Sequence, residues 1–183
     1  LFGVPMEEFS AAQTILHWVA TCITWGVFAY VLIIKSGGKY QFPLLEKGKE
    51  MKLWQWGACV LFIVGAFLAD YMDWGGFKVY IEYRNNGLLL FIFQYLYYLF
   101  ETMLFLLIIV FGQKACEIWF RKKEFPYGGV ICGITWGLGH ILTKDLQTGL
   151  MGLALGFAMG SVYLLVNRDL KRAYIVLFLM FIL

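Results

Sequence analysis

The sequence predicts an all-α fold, a polytopic membrane helix bundle of about six transmembrane helices. Three observations carry this: an apolar content that a soluble core cannot hide, a series of runs near bilayer length, and basic residues confined to alternate loops. Of the 183 residues, 61% are hydrophobic, 19% aromatic and 15% charged. An ordinary soluble domain is about 45–50% apolar and about 25% charged. The balance excludes a cytosolic globular enzyme, a disordered chain and a disulfide scaffold. Residues 1–183 are expected to form a single transmembrane helical domain.

A spanning helix needs about 20 apolar residues. Runs that reach or approach this length fall near 11–34, 54–72, 87–112, 127–143 and 148–167, and a further one begins at 173–183. The last has eleven residues, so either the chain continues or that helix is half-inserted. Strands are not expected, because lipid offers no partner for an open edge. Residue 1 is Leu rather than Met, which predicts a native start upstream or a processed one, and residues 1–10 show no basic leader.

Charge sets the orientation. Loop 35–53 holds Lys35, Lys39, Lys47, Lys49 and Lys52; loop 113–126 holds Lys114, Arg121, Lys122 and Lys123; loop 168–172 holds Arg168, Lys171 and Arg172. These are twelve of the 15 basic residues, with only Lys78, Arg84 and Lys144 on the opposite face. The positive-inside rule places the three loops in the cytoplasm and the N-terminus outside. Residues 113–125 mix apolar and basic side chains and predict a short helix on the cytoplasmic surface. Trp54, Trp56, Trp74, Trp119 and Tyr127 lie at span ends, where rings suit the headgroup layer. Membrane lipids are the expected partners, with a membrane protein or peptide as a further one. Nucleic acid is not expected, since basic–aromatic repeats are missing and the net charge is only +3.

Cys22, Cys59, Cys116 and Cys132 form no C-x-x-C pair and read as packed, reduced thiols. Gly129, Gly133 and Gly137 repeat every four residues, as do Gly152, Gly156 and Gly160. Such ridges let helices approach closely, so the fourth and fifth spans are expected to form a tight antiparallel hairpin, with a homodimer face as the alternative.

Ionisable groups inside a span are expensive and face a bundle interior or a wet cavity. Glu101 lies fourteen residues into the third span. Gln94, Tyr98 and Glu101 share one helical face, flanked by Tyr97. Trp136 and His140 lie one turn apart in the fourth span, and His17, Asp70 and Asp73 share its external half. Gln94, Tyr97, Tyr98, Trp136, Asp70 and His17 are therefore the expected cavity-lining residues. Shared depth without proximity makes no metal site, and neither metal nor cofactor is expected.

The stretch from Glu117 onward resembles the CPBP family of CAAX proteases and bacteriocin-processing membrane proteins. Members carry Glu-Glu-x-x-x-Arg, then Phe-x-x-x-His, then His-x-x-x-Asn/Asp. Trp136-Gly137-Leu138-Gly139-His140 is similar to the second motif, with Trp in the Phe position. The first motif fits two registers. Cys116-Glu117-Ile118-Trp119-Phe120-Arg121 keeps one Glu and the Arg but lies in a basic loop. Phe100-Glu101-Thr102-Met103-Leu104-Phe105 puts its Glu inside a span and has Phe for both the other Glu and the Arg. The Glu101 register is favoured for its position. The third motif is missing near residues 178–180.

The resemblance implies Glu101 and His140, with Glu117 and Arg121 as further candidates, as the groups that activate water in active members. The later His and Asn would hold the oxyanion. Loss of one oxyanion donor costs about 100- to 1000-fold in rate. The expectation is a non-catalytic member that binds a lipid, peptide or membrane partner in a polar intramembrane cavity. The alternatives are an active intramembrane CAAX-type endopeptidase and a small membrane transporter or channel component.

Overall fold

A computed structural model describes residue 5 and residues 8–143 and 145–183. Lys144, assigned above to the sparsely basic face, lies outside the described residues, as do residues 1–4, 6 and 7 of the N-terminal stretch. The fold is an all-α bundle: α1 (Ala11–Gly38), α2 (Leu53–Trp74), α3 (Lys78–Phe120), α4 (Tyr127–Cys132), a π-helical turn (Gly133–Gly137), α5 (Gly139–Thr143), α6 (Leu146–Leu165) and α7 (Leu170–Ile182). Helices α1, α2, α3 and α6 are long and apolar enough to cross a membrane. The fourth run is a composite rod of α4, the π turn and α5, and α7 is shorter, at 13 residues.

Local chemistry sets the helix starts. Ser10 and Gln13 cap α1 reciprocally, while the Asp145 and Asp169 carboxylates accept the Thr148 and Arg172 amides at the heads of α6 and α7. Pro126 precedes α4, where a missing N–H costs nothing. Helix α3 forms the axis of the bundle and contacts α1, α2, α4, α6 and α7. Its Phe105, Leu106, Ile109 and Val110 are buried against Cys132 of α4, Met159 and Val162 of α6, and Ala173 and Leu177 of α7.

The glycine ladders interlock as expected. A methyl added at Gly160 would lie 2.3 Å from Gly129 Cα, one at Gly156 would lie 2.6 Å from Gly133 Cα, and one at Gly152 would lie 2.8 Å from Gly137 Cα. The constant antiparallel register brings the α4–α5 rod and α6 into backbone contact, a packing that lipid cannot replace.

Two elements differ from the sequence reading. Residues 113–120 continue α3 instead of lying apart on the surface. No Pro or Gly interrupts them, and buried Gln113 holds this turn to α4 by accepting the Gly128 amide at 3.0 Å and donating to the Phe125 carbonyl at 3.0 Å. At the other end, residues 78–86, read as an outer loop, are helical. Gly87, at φ 67° and ψ 170°, breaks the helix. The Tyr98 hydroxyl bonds to Glu82 at 2.7 Å across 16 residues, which a straight helix would hold about 24 Å apart. The chain therefore folds back at Gly87, whose backbone conformation only glycine adopts without strain.

The three basic loops meet at one end of the bundle. Gly48 N–H donates to Asp169, Asn167 donates to the Lys49 and Glu50 carbonyls, and Arg168 donates to Glu117 and to the Lys123 carbonyl. At the opposite end, Lys78 bonds to Asp70 and Gln147 to Asp73.

Candidate functional site

A cavity of about 880 Å³ lies between α2 and α6, backed by α3, the π turn and the end of α7. Its apolar wall includes Leu61, Phe62, Met151, Leu155 and Ala158; its polar residues include Asp70, Asp73, Lys78, Glu101 and His140. Leu61 of α2 and Ala154 of α6 line the space yet are exposed, so it opens sideways between these two helices. The polar groups of α2 and α6, Asp70, Asp73 and Thr148, sit toward the end of the bundle opposite the basic loops.

Glu101 is placed by α3, and Trp136 by the π turn. The widened turn is closed by the Leu138 N–H to Gly133 carbonyl bond at 2.8 Å. Gly133 and Gly137, at its two ends, are pressed against the backbone of Leu153 and Gly152 in α6. From this turn the Trp136 indole N–H donates to Glu101 Oε1 at 3.2 Å. The same ring lies 4.9 Å from the His140 ring, 5.3 Å from Phe105 and 5.7 Å from Phe181, measured between centroids. Glu101 and His140 differ in depth by residue count, but Trp136 lies between them and both line one cavity.

Sequence reasoning missed a second cluster. Lys78 is 7% exposed. Its ammonium donates to Asp70 Oδ2 at 3.0 Å and to the Phe181 carbonyl at 2.6 Å, and it lies 5.2 Å from the Phe181 ring centroid. It thus satisfies a carbonyl at the C-terminal end of α7, where positive charge is favoured. One turn later Glu82, 2% exposed, accepts bonds from the Tyr95 hydroxyl at 2.9 Å, the Tyr98 hydroxyl at 2.7 Å and Gln94 Nε2 at 3.0 Å. Asn86 donates to Gln94 Oε1. Tyr98 connects this network to the cavity, which it lines. A signal was present: Gly76 and Gly87 bracket a segment without proline in which Lys78 and Glu82 stand four apart, on one helical face.

Of the residues expected around the cavity, Asp70, Tyr97, Tyr98 and Trp136 line it. Gln94 stands behind Tyr98 in the Glu82 network. His17 lies on α1, with its ring edge-on to Phe9 at 6.0 Å. Trp74, read as an interfacial anchor, also lines the cavity.

Glu117 and Arg121 belong to the basic end. Glu117 Oε1 accepts from Arg168 at 2.8 Å and from Gln113 at 2.8 Å. Arg121 is exposed in the left-handed residue that ends α3. There Asp169 is buried. Burial pushes its carboxyl up, but the amides of Arg172, Gly48 and Lys171 and the Arg172 guanidinium outweigh this and hold it below the usual carboxylate value.

Among the described residues no three His, Cys, Asp or Glu side chains gather closely enough to hold a metal ion. Comparison with protein-family models, with curated proteins and with solved structures returns no match.

Proposed function

We propose that this chain is a non-catalytic, CPBP-like integral membrane protein that binds a single-chain amphiphile in the cavity between α2 and α6. The carrying observation is the cavity itself: about 880 Å³, apolar along one wall, polar at one end and open sideways. Binding sites are mostly apolar concavities with a few convergent polar groups that fix orientation. An alkyl chain enters from the bilayer between Leu61 and Ala154 and lies along Leu155 and Ala158. Its polar end meets Asp70, Asp73 and Glu101. By the positive-inside rule the basic loops face the cytoplasm, and the polar end of the cavity lies toward the non-cytoplasmic leaflet.

Aromatic side chains occupy the positions that the resemblance marks for polar groups, which speaks against catalysis. Phe105 stands where the favoured register has Arg, and it is 1% exposed. Phe181, beside the place of the later His, packs against Phe105 at 5.3 Å and Trp136 at 5.7 Å. Aromatic edges there supply no donor to a developing oxyanion, and such donors are worth several kcal/mol.

The test is alkyl-chain binding by the full chain in phosphatidylcholine nanodiscs, compared with Ala158→Trp, which fills the cavity. Saturable binding lost in the variant supports the reading, and equal binding by both proteins overturns it. A second reading, an intramembrane endopeptidase, is favoured by the meeting of Glu101 and His140 at one cavity. Cleavage of a tagged membrane-peptide library that disappears in both Glu101→Ala and His140→Ala would establish it over the binding role.

A further inference from the structure

The basic end of the bundle holds a second concavity, of about 260 Å³, between residues 44–47 and the head of α7. Sites for whole drug-sized ligands measure about 300–1,000 Å³, so this one suits a headgroup. Leu44 and Leu170 line it and are buried, while Lys47 and Lys171 line it and are exposed. The loop is fixed there through its backbone. Gly48 N–H donates to Asp169 at 3.0 Å, and Asn167 donates to the Lys49 and Glu50 carbonyls at 3.2 and 3.1 Å. Arg172 donates to the Lys49 carbonyl at 2.7 Å. These attachments use amides and carbonyls of the loop and none of its ammonium groups.

The charge left over is positive. Asp169, the buried carboxylate of this pocket, accepts the Gly48 and Arg172 amides and lies 3.7 Å from Arg172 Nε. The remaining lining charges are Glu46 against Lys47 and Lys171. Ion pairs among the described residues occupy Lys78, Arg168 and Arg172, and neither of these two lysines. Across the three loops twelve bases face five carboxylates, Glu46, Glu50, Glu117, Glu124 and Asp169. Like charges held in place by a fixed backbone repel, and an anion between them relieves the repulsion. Below Lys171 the same face of α7 continues through Ile175, Phe178 and Ile182, none of them buried. From Lys171 to Ile182 is about 16 Å of helix, close to half of the about 30 Å hydrocarbon core of a bilayer.

We infer that this pocket is a site for an anionic phospholipid, its phosphate between Lys47 and Lys171 and one acyl chain along Ile175, Phe178 and Ile182. Arg172 and Asp169 hold the loop that presents Lys47. With the basic loops facing the cytoplasm, as proposed above, the pocket meets the leaflet that carries anionic lipids, whose headgroups bind basic pockets between helices. The site is separate from the cavity between α2 and α6 and does not depend on what that cavity holds.

The experiment titrates the full chain, delipidated in detergent, with phosphatidylglycerol and with phosphatidylcholine of the same acyl chains, and counts the bound lipids by native mass spectrometry. Two lysines beside one anionic headgroup predict a preference for the first phosphatidylglycerol of about 20- to 30-fold. Lys47→Gln with Lys171→Gln brings that preference down to about threefold or less. Lys122→Gln with Lys123→Gln removes the same charge from the basic end, away from the pocket, and keeps it. All four lysines are exposed, so both double variants retain the fold. Excess inorganic phosphate, at matched ionic strength, leaves the lipid bound. Equal preference for the two lipids in the wild type, or equal losses in the two double variants, overturns the site. Displacement by inorganic phosphate assigns the pocket to a free anion and overturns the lipid.

Discussion

The contact between Gly129 and Gly160 gives a sharp test of the packing that builds the cavity wall. A methyl placed on Gly160 falls 2.3 Å from Gly129 Cα and 2.4 Å from Gly129 N. Both are backbone atoms, so no side chain can swing aside. Non-bonded carbons rest at about 3.5–4.0 Å, so α4 and α6 must part by more than about 1 Å. Overpacking of this kind costs about 1–3 kcal/mol. At about 2–4 °C per kcal/mol for a chain of this length, Gly160→Ala is expected to melt about 2–12 °C below the wild type. Gly57→Ala is the control. Gly57 lies exposed in the second turn of α2 with nothing within 4 Å of an added methyl, so alanine there gains about 0.5–1 kcal/mol of helix propensity. Thermal unfolding followed by tryptophan fluorescence in nanodiscs reads both. A Gly160→Ala protein as stable as the wild type would refute the backbone contact. Equal losses at Gly160 and Gly57 would show that glycine serves the backbone there and not the packing.

Three further outcomes follow from the buried polar groups. Lys78→Met leaves Asp70 and the Phe181 carbonyl without their shared donor and costs about 3–5 kcal/mol. Adding Asp70→Leu recovers most of it, and a double-mutant cycle on unfolding free energy measures the coupling. Asp169 has a lowered carboxyl pKa, against an ordinary value of 3.8. Its contribution is therefore whole above about pH 4 and drains away as the pH falls further through the folded value. The stability difference between wild type and Asp169→Asn should shrink over that acid range, as followed by unfolding at stepped pH. Gln113→Leu orphans the buried Gly128 amide and costs about 1–3 kcal/mol in the same unfolding measurement.

The bundle was legible because its signals are long and redundant. Apolar runs fixed α1, α2 and α6 to within a few residues, and the basic loops fell on one end, where Asn167, Arg168 and Asp169 tie them together. The glycine ladders announced the close antiparallel packing of α6 against α4 but not its register, which comes from the pairing of Gly160 with Gly129, Gly156 with Gly133 and Gly152 with Gly137. What failed to show was short and depended on pairing. Residues 78–86 are too polar for a span and too short for a helical run, and Lys78 and Glu82 belong inside only because partners from α2, α7 and the second limb of α3 await them. The surface helix expected at residues 113–125 failed for the complementary reason: mixed charge suggested an interface, whereas the buried Gln113 found partners in the Phe125 carbonyl and the Gly128 amide of the following segment.

The candidate site falls between these cases. Glu101, Tyr97, Tyr98 and Trp136 could be named because polar groups in a span have few places to go. That they meet Asp70 and His140 at one cavity depends on two backbone features that composition does not announce. One is the π turn at Gly133–Gly137, which carries Trp136; the other is the reversal at Gly87, which brings Lys78 to α7. Both lie beside glycine, and both hold an aromatic or cationic side chain against a carboxylate. Close helix packing and the polar cavity are thus one design. The glycines that bring α4 and α6 into contact leave the neighbouring face of α6, at Met151, Leu155 and Ala158, lining the open space toward α2. A substitution that drives α6 off α4 shifts it into that space, so stability and ligand-binding volume should fall together in Gly160→Ala.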